Sequence, residues 1–299
     1  MIEKIRKIYH KIVSEKCRKK IAEILYNMRV KRKIISLYWT LLFGYICGRL
    51  KEYNKEIRFI AKHGVTMFPY QFTRKYSGFS CEIIYDKHEE KYYVLHEDKR
   101  LYFPKGAKPE EIQSAYKQLI MEQEADSPHC YWSNINRPQK GDTFVDVGAA
   151  EGMIALEWID VVDKVILIEC EKLWQDALMA TFASYKEKVQ IISSYCGEKD
   201  GPNSTTIDSI VENTDNVVIK MDIEGAEIDA LKGAKKTLNR DNVKWAICTY
   251  HRKTDAHDIE EVVKEHQMEY EYSDGYMLLP YDEIQEYPYF RKGLIRAKK

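Results

Sequence analysis

The stretch that most constrains this chain is Gly141 to Gly152, reading GDTFVDVGAAEG. Thr143 to Val147 reads as a short buried strand, Gly148 to Gly152 as the turn leaving it, and Met153 to Trp158 as the helix that follows. Strand, glycine turn and helix in that order open an α/β sheet, in which ligands bind just outside the carboxyl ends of the strands. Glycine at the strand end removes the Cβ that would hold a ligand away from the backbone. The spacing is neither the G-x-G-x-x-G of a dinucleotide loop nor the G-x-x-x-x-G-K-[ST] of a phosphate cradle.

Downstream of this loop the pattern alternates. Strands are expected at VILI (165–168), VQII (189–192), VVIKM (217–221) and VKWAIC (243–248). Helices are expected at Trp174 to Phe182, 205–211, Glu224 to Leu238 and Asp255 to Glu265, and MEYEY, YMLL and GLIRA read as closing strands. Such alternation implies a largely parallel sheet with helices on both faces. The fold class expected is therefore α/β, a Rossmann-like sheet, preceded by a helical arm and a small α+β module.

Three parts follow: a basic helical region at 1–60, the module at 61–135 and the sheet domain at 136–299. In the module, Phe79, Cys81, Ile83 and Tyr85 alternate, and YYVL and RLYF complete an antiparallel set around a charged turn. Pro109 opens a helix with Glu110 and Glu111 in its first turn, where the helix dipole favours negative charge.

The total charge is zero, but residues 1–33 hold twelve Lys/Arg against three Glu, so the rest of the chain carries the opposite excess. Ile5, Ile8, Ile12, Ile21, Ile24, Leu25 and Met28 recur there at helical spacing. A solvated helix packed on the body is the first reading, and docking on an anionic membrane through residues 1–48 the second. Ile34 to Gly48 is the most apolar window, but its 15 residues fall short of the roughly 18–20 that span a bilayer. A buried helix is expected there, with an interfacial one as runner-up. The seven cysteines are scattered without a C-x-x-C pair, which excludes a zinc knuckle and suits a reducing cytoplasm.

Four strand ends carry candidate chemistry. Glu169 ends the second strand, where a carboxylate accepts hydrogen bonds from the vicinal hydroxyls of a ribose. KMDIEGAE (220–227) ends the fourth strand and places Lys220, Asp222, Glu224 and Glu227 beside the glycine loop. Charge at the end of a central parallel strand is costly unless paired or facing a cleft. Helix capping accounts for Glu227 but not for Lys220 inside the strand. His251 follows the fifth strand and points to the same edge, with Tyr250 beside it; His129, in DSPHCY, is a candidate to close the site from above.

VDVGAAEG, IEC, TTIDSI and IKMDIEGAEIDALKGA together resemble the FkbM family of S-adenosylmethionine-dependent methyltransferases, over about residues 141–250. KMDIEGAE is the specific part, and EQEADSPHCY, ICTYHR and YFRKGLIRA are similar to a bacterial branch tied to glycan loci. The family's usual glutamate after the fifth strand is Thr249 here. The resemblance implies a seven-stranded methyltransferase sheet and O-methyl transfer from S-adenosylmethionine to a hydroxyl, often on a sugar or polysaccharide. It implies that Asp146, Gly148, Glu151 and Gly152, with Ala149, line the methionine end of the cofactor. Glu169 would hold the ribose, Cys170 would also contact the cofactor, and Ser194 to Gly197, with Cys196, would flank the adenine. Lys220, Asp222, Glu224 and His251 would face the acceptor, with Asp222 also touching the cofactor and His129, Tyr250 and Glu227 contacting the substrate.

The expected chemistry is alignment of acceptor oxygen, carbon and sulfur, with His251 or Asp222 taking the hydroxyl proton. No metal is expected; a divalent ion on Asp222, Glu224 and His251 is a lesser variant, since the spacing matches no metal signature. A non-catalytic cofactor-binding or membrane-tethered scaffold stays open, as does, below it, a nicotinamide oxidoreductase. A nucleic-acid partner ranks low, because the basic arm lacks interleaved aromatics.

Overall fold

The computed structural model describes residues 15–280 and 289–299, the side chains of 15–19 and 21–25 excepted. The helix expected over 1–14 lies outside the described residues. The chain forms two compact units, Met1–Tyr70 with Leu278–Phe290, and Gln71–Met277 with Arg291–Lys299.

In the first unit, α1 (Glu15–Ile46) is one unbroken helix, and α2 (Asn54–His63) follows a short turn. The two meet through Leu37 and Leu41 on α1 and Ile57 and Ile60 on α2, all buried. Tyr45 donates to the Asn54 side chain at 2.7 Å. The expectation of a buried helix over Ile34–Gly48 fails. That segment is the second half of α1, and Ile35, Trp39, Phe43 and Ile46 are exposed along it. Among the described residues only one of its faces finds a partner. Among the described residues no helix is long and apolar enough to cross a membrane.

The second unit opens with an antiparallel sheet, β1 (Ile84–Asp86), β2 (Lys91–His96) and β3 (Lys99–Tyr102), then α3 (Pro109–Glu122). There follow β4 (Asp142–Val147), α4 (Met153–Trp158), β5 (Lys164–Ile168), α5 (Lys172–Thr181), β6 (Val189–Ile192), β7 (Tyr195–Cys196) and β8 (Ser204–Thr205). Next come α6 (Ile207–Ile210), β9 (Asn216–Met221), α7 (Glu227–Lys232), β10 (Val243–Cys248), α8 (Asp255–Glu265) and β11 (Glu269–Tyr272). The chain closes through β12 (Met277–Leu278), β13 (Phe290–Arg291) and β14 (Leu294–Lys298).

Seven strands form the central sheet in the order β11-β14-β10-β9-β4-β5-β6. β6, β5, β4, β9 and β10 run parallel, and β14 is antiparallel to both β10 and β11. This is the expected Rossmann-like α/β class. YMLL is not among its strands: β12 pairs with β13 instead. The helix expected over Glu224–Leu238 is shorter, because the turn at Glu224 and Gly225 takes left-handed backbone (φ 54° and 92°) and the chain leaves the helix at Gly233. In the hairpin, regular pairing starts only at Ile84.

Alternation along the strands builds a core on each face. Phe144, Leu167, Val218, Ala246 and Leu294 face one side, and Val145, Ile166, Ile219, Trp245 and Ile295 the other. Val94, Leu101, Phe103, Ile112 and Tyr116 join the first of these cores. The hairpin and α3 therefore share the sheet's interior instead of forming a separate module at 61–135.

Candidate active site

The site starts from register. β4 and β9 pair in parallel with Asp146 opposite Lys220. Both side chains are buried, and the Lys220 ammonium lies 2.8 Å from Asp146. It also donates to the Gly148 carbonyl at 2.7 Å. Burial opposes its charge, but Asp146 and Asp222 raise its pKa above the ordinary lysine value. Lys220 thus ties the first glycine of the loop to the neighbouring strand. Its ammonium is directed at these two partners inside the fold, not out toward an acceptor as expected.

The glycines of the loop answer to the protein as well as to a ligand. A Cβ on Gly148 (φ 79°) would sit 2.1 Å from the Asp222 carbonyl oxygen, and one on Gly152 would strike Leu178 of α5 and Phe182 just past its end. The loop therefore lies directly on the end of β9.

Outside these strand ends is a cavity of about 420 Å³, within the range of small-molecule sites. Gly148, Glu169, Cys170, Ser194, Cys196 and Asp222, all expected to contact the cofactor, are on its wall. Ala150, Trp174, Tyr195, Ile223 and Glu224 line it too. Asp146, Ala149, Glu151 and Gly152 stand behind the wall, because they pack the loop against the sheet and α5. Burial pushes the Glu151 carboxyl up to about 7.

Glu169 is the buried polar group of this cavity. Its carboxylate accepts from the backbone N–H of Ala150 at 2.9 Å and of Glu171 at 2.7 Å. Ala150 takes left-handed backbone (φ 44°), one of the few non-glycine residues that do. Each carboxylate oxygen keeps a lone pair after these bonds. A ribose diol is a pair of donors at the spacing of a carboxylate, so the cavity fits an adenosine-type cofactor. The rings of Trp174 and Tyr195 offer flat apolar surface for a base. Tyr195 belongs to the Ser194 to Gly197 turn expected to flank the adenine, whereas Trp174 was not singled out from sequence; the only signal for it was its closeness to the end of β5.

Beside the cavity, Asp222 gathers side chains from distant segments. Tyr131 donates to it at 2.7 Å and Tyr250 at 3.1 Å. The ring nitrogens of His251 and His129 lie 3.2 and 3.5 Å away. Burial opposes its ionisation, yet His129, His251 and Lys220 hold it well below the usual carboxylate range. His251 is also 2.9 Å from Glu227. Burial disfavours its charge, but the carboxylates of Asp222 and Glu227 raise its pKa to about 10. His129 is raised as well, against burial, by Glu122 and Asp222. At neutral pH the His251 ring is therefore a cation. His251 is thus a clamp on Asp222 and not a proton acceptor, which corrects one of the two bases expected.

Glu227 is also misplaced as a substrate contact. It is fully buried and accepts from the Ile223 N–H at 2.9 Å, closing the turn that presents Asp222. Glu224 projects into solvent, 3.6 Å from His251. Thr249, where the glutamate was expected, is buried and donates to the Lys292 carbonyl at 2.9 Å.

His129 and Tyr131 sit on an extended loop pinned from three sides. Asn136 donates to the carbonyls of Tyr131 and Trp245. Arg296 donates to the Cys130 carbonyl and Ser273 to that of Pro128, both at 2.6 Å. Tyr131 and Glu122 were missed from sequence; the period of two from His129 to Tyr131 was the available signal for the first. Two groups of side chains, His129/Asp222/Cys248 and Asp222/Glu227/His251, have donor atoms close enough to share a cation. In the structure these donors are paired with one another.

Residues 146–272 match the model of the methyltransferase FkbM domain. A search of curated proteins finds no match. Among solved structures the chain is similar to methyltransferase FkbM from Methylobacillus flagellatus KT, at 22% identity and a TM-score of 0.42. That similarity covers 64% of this chain and 55% of the other, so the chain spans about half of that protein's length. It is also similar to precorrin-6y C5,15-methyltransferase from Geobacter metallireducens, at 13% identity, 55% and 84% coverage and a TM-score of 0.38. A third is M. capricolum TrmK in complex with S-adenosylhomocysteine, at 12% identity, 56% and 64% coverage and a TM-score of 0.36.

Proposed function

We propose, from the match of residues 146–272 to the model of the methyltransferase FkbM domain, that this chain transfers a methyl group from S-adenosylmethionine to a hydroxyl of a sugar or glycan. The observation that carries the reading is the double position of Asp222. It lines the cofactor cavity and is also the hub of the Tyr131, Tyr250 and His251 cluster. The cofactor, when bound, supplies a methyl group already activated by the sulfonium.

The residues then have separable tasks. Glu169 accepts the ribose hydroxyls, and Trp174 and Tyr195 border the base. Asp222 accepts the hydrogen bond of the incoming hydroxyl and holds its oxygen in line with the methyl carbon. As a strongly ionised carboxylate it is a weak base, so it takes the hydroxyl proton late, once the forming bond has made the attacking oxygen acidic. His251 and His129 keep Asp222 charged and fixed. Tyr131 and Tyr250 are held neutral, their pKa values raised well above normal by burial and by Asp222, so they remain donors. A concave polar cluster of this kind suits a polyhydroxylated acceptor. Scattered cysteines, free at every described position, are in keeping with a cytoplasmic enzyme.

The test is calorimetric titration with S-adenosylmethionine and, separately, with NAD, followed by transfer of labelled methyl to sugar and glycan acceptors. Saturable binding of the first alone, weakened in Glu169→Ala, supports the reading. Binding of NAD alone overturns it. Cofactor binding with no transfer to any hydroxyl acceptor leaves the scaffold alternative standing.

A further inference from the structure

One face of α1 has no partner among the described residues. Ile35, Trp39, Phe43 and Ile46 are between 59% and 80% exposed. Spaced four, four and three apart, they form one stripe along the helix. Met28, 47% exposed, extends it by two turns. Leu37 and Leu41 point the other way and are buried. Four large exposed side chains in 12 consecutive residues form a contiguous apolar patch, the kind that marks an interaction surface. Along its edge runs an open groove bordered by Trp39, Thr40, Phe43, Gly44 and Leu50.

Charge identifies what covers it. Between Glu23 and Glu52 there is no acidic residue, whereas Arg29, Lys31, Arg32, Lys33, Arg49 and Lys51 fall in that span. Arg29, Lys31 and Arg32 are exposed, and Arg32 lies four residues before Ser36 and seven before Trp39. A protein partner would have to be both apolar and acidic. An anionic bilayer is both by nature: negative headgroups above, hydrocarbon beneath. An aromatic and aliphatic stripe bordered by Lys and Arg, on a helix that cannot span, matches a helix lying in the interface plane.

We propose that α1 docks this protein peripherally on an anionic membrane surface, with Trp39, Phe43 and Ile46 entering the acyl boundary and Arg29, Lys31 and Arg32 facing the headgroups. The inference is independent of the methyl-transfer reading, since it uses no residue of the second unit.

The experiment is flotation of the full chain with vesicles of phosphatidylcholine alone and with 30% phosphatidylglycerol. Binding to the anionic vesicles at least tenfold above the neutral ones is expected, falling steeply between low and physiological salt. Trp39→Glu with Phe43→Glu should abolish it, and Lys31→Glu with Arg32→Glu should reduce it by roughly tenfold or more. These positions are exposed, so melting temperature and S-adenosylmethionine binding should be unchanged in all variants. No binding to anionic vesicles, or equal binding by the Trp39→Glu/Phe43→Glu protein, overturns the proposal. So does loss of a dimer in that variant without vesicle binding by the parent chain, which would assign the stripe to a second copy.

Discussion

The two carboxylates that flank the cavity, Glu169 and Asp222, are held in opposite ways. Each follows a parallel strand of the same sheet. Glu169 is bound by backbone N–H groups of Ala150 and Glu171, both close to it in the fold's first two crossovers. Asp222 is bound by the side chains of Tyr131, Tyr250, His251 and His129, which arrive from loops up to 93 residues away in sequence. A backbone cradle tolerates change in the residues that build it. A side-chain cluster does not, because each member is a buried charge or donor that needs the others. The cofactor side should therefore respond to mutation in affinity, and the acceptor side in turnover and stability together.

The largest effect should come from Asp222→Ala. It leaves His251, His129 and Lys220 without their common anion, a loss on the order of 3–5 kcal/mol of stability. Turnover should fall by roughly a thousandfold. Denaturant unfolding and a methyl-transfer assay read the two losses, and an unaltered unfolding midpoint would show that the cluster is not the coupled unit described. Next is Gly148→Ala. With φ at 79° and the Asp222 carbonyl 2.1 Å from the added Cβ, about 3 kcal/mol or more should be lost, and cofactor binding with it. Near-normal stability would mean that the loop and β9 move apart freely.

pH separates the two sides further. His251 has its pKa raised from 6.5 to about 10 in the folded protein. Its contribution is complete below about 6.5 and is lost as pH rises through 10, because the unfolded chain releases the proton first. Stability should drop by a few kcal/mol between pH 7 and 10, and His251→Gln should flatten that slope; an unchanged slope in the variant assigns it elsewhere. The smallest effect is Glu169→Ala, which should weaken S-adenosylmethionine by roughly 10- to 100-fold, or about 1.5–3 kcal/mol. Turnover at saturating cofactor should stay within a few-fold. If Asp222→Asn weakened the cofactor as much as Glu169→Ala, the division between the sides would collapse.

The legibility of the site in the sequence follows the same division. Gly148, Glu169, Cys170, Ser194 and Cys196 could be placed on one wall because each sits at the end of an apolar run, and strand ends in a parallel sheet converge. Lys220 could be flagged as anomalous inside a strand. That it faces Asp146 depends on the β4–β9 register, which no local pattern encodes. Tyr131 and Trp174 went unassigned because aromatic residues are common and their role depends on what lies across the gap. His251 was placed at the right edge with the wrong charge: two carboxylates, one of them buried on α7, decide its protonation.

α1 shows the same limit outside the site. Its spacing and basic character are explicit from Met28 to Ile46, but spacing alone reports that an apolar face exists, not whether it is covered. Local order along the chain determined the strands, most of the helices, the α/β class and the ligand edge, because side-chain period and turn residues act over a few positions. Tertiary structure decided which charges meet, which glycines are compulsory and which hydrophobic residues stay in solvent, because those depend on distances between segments that the sequence keeps far apart.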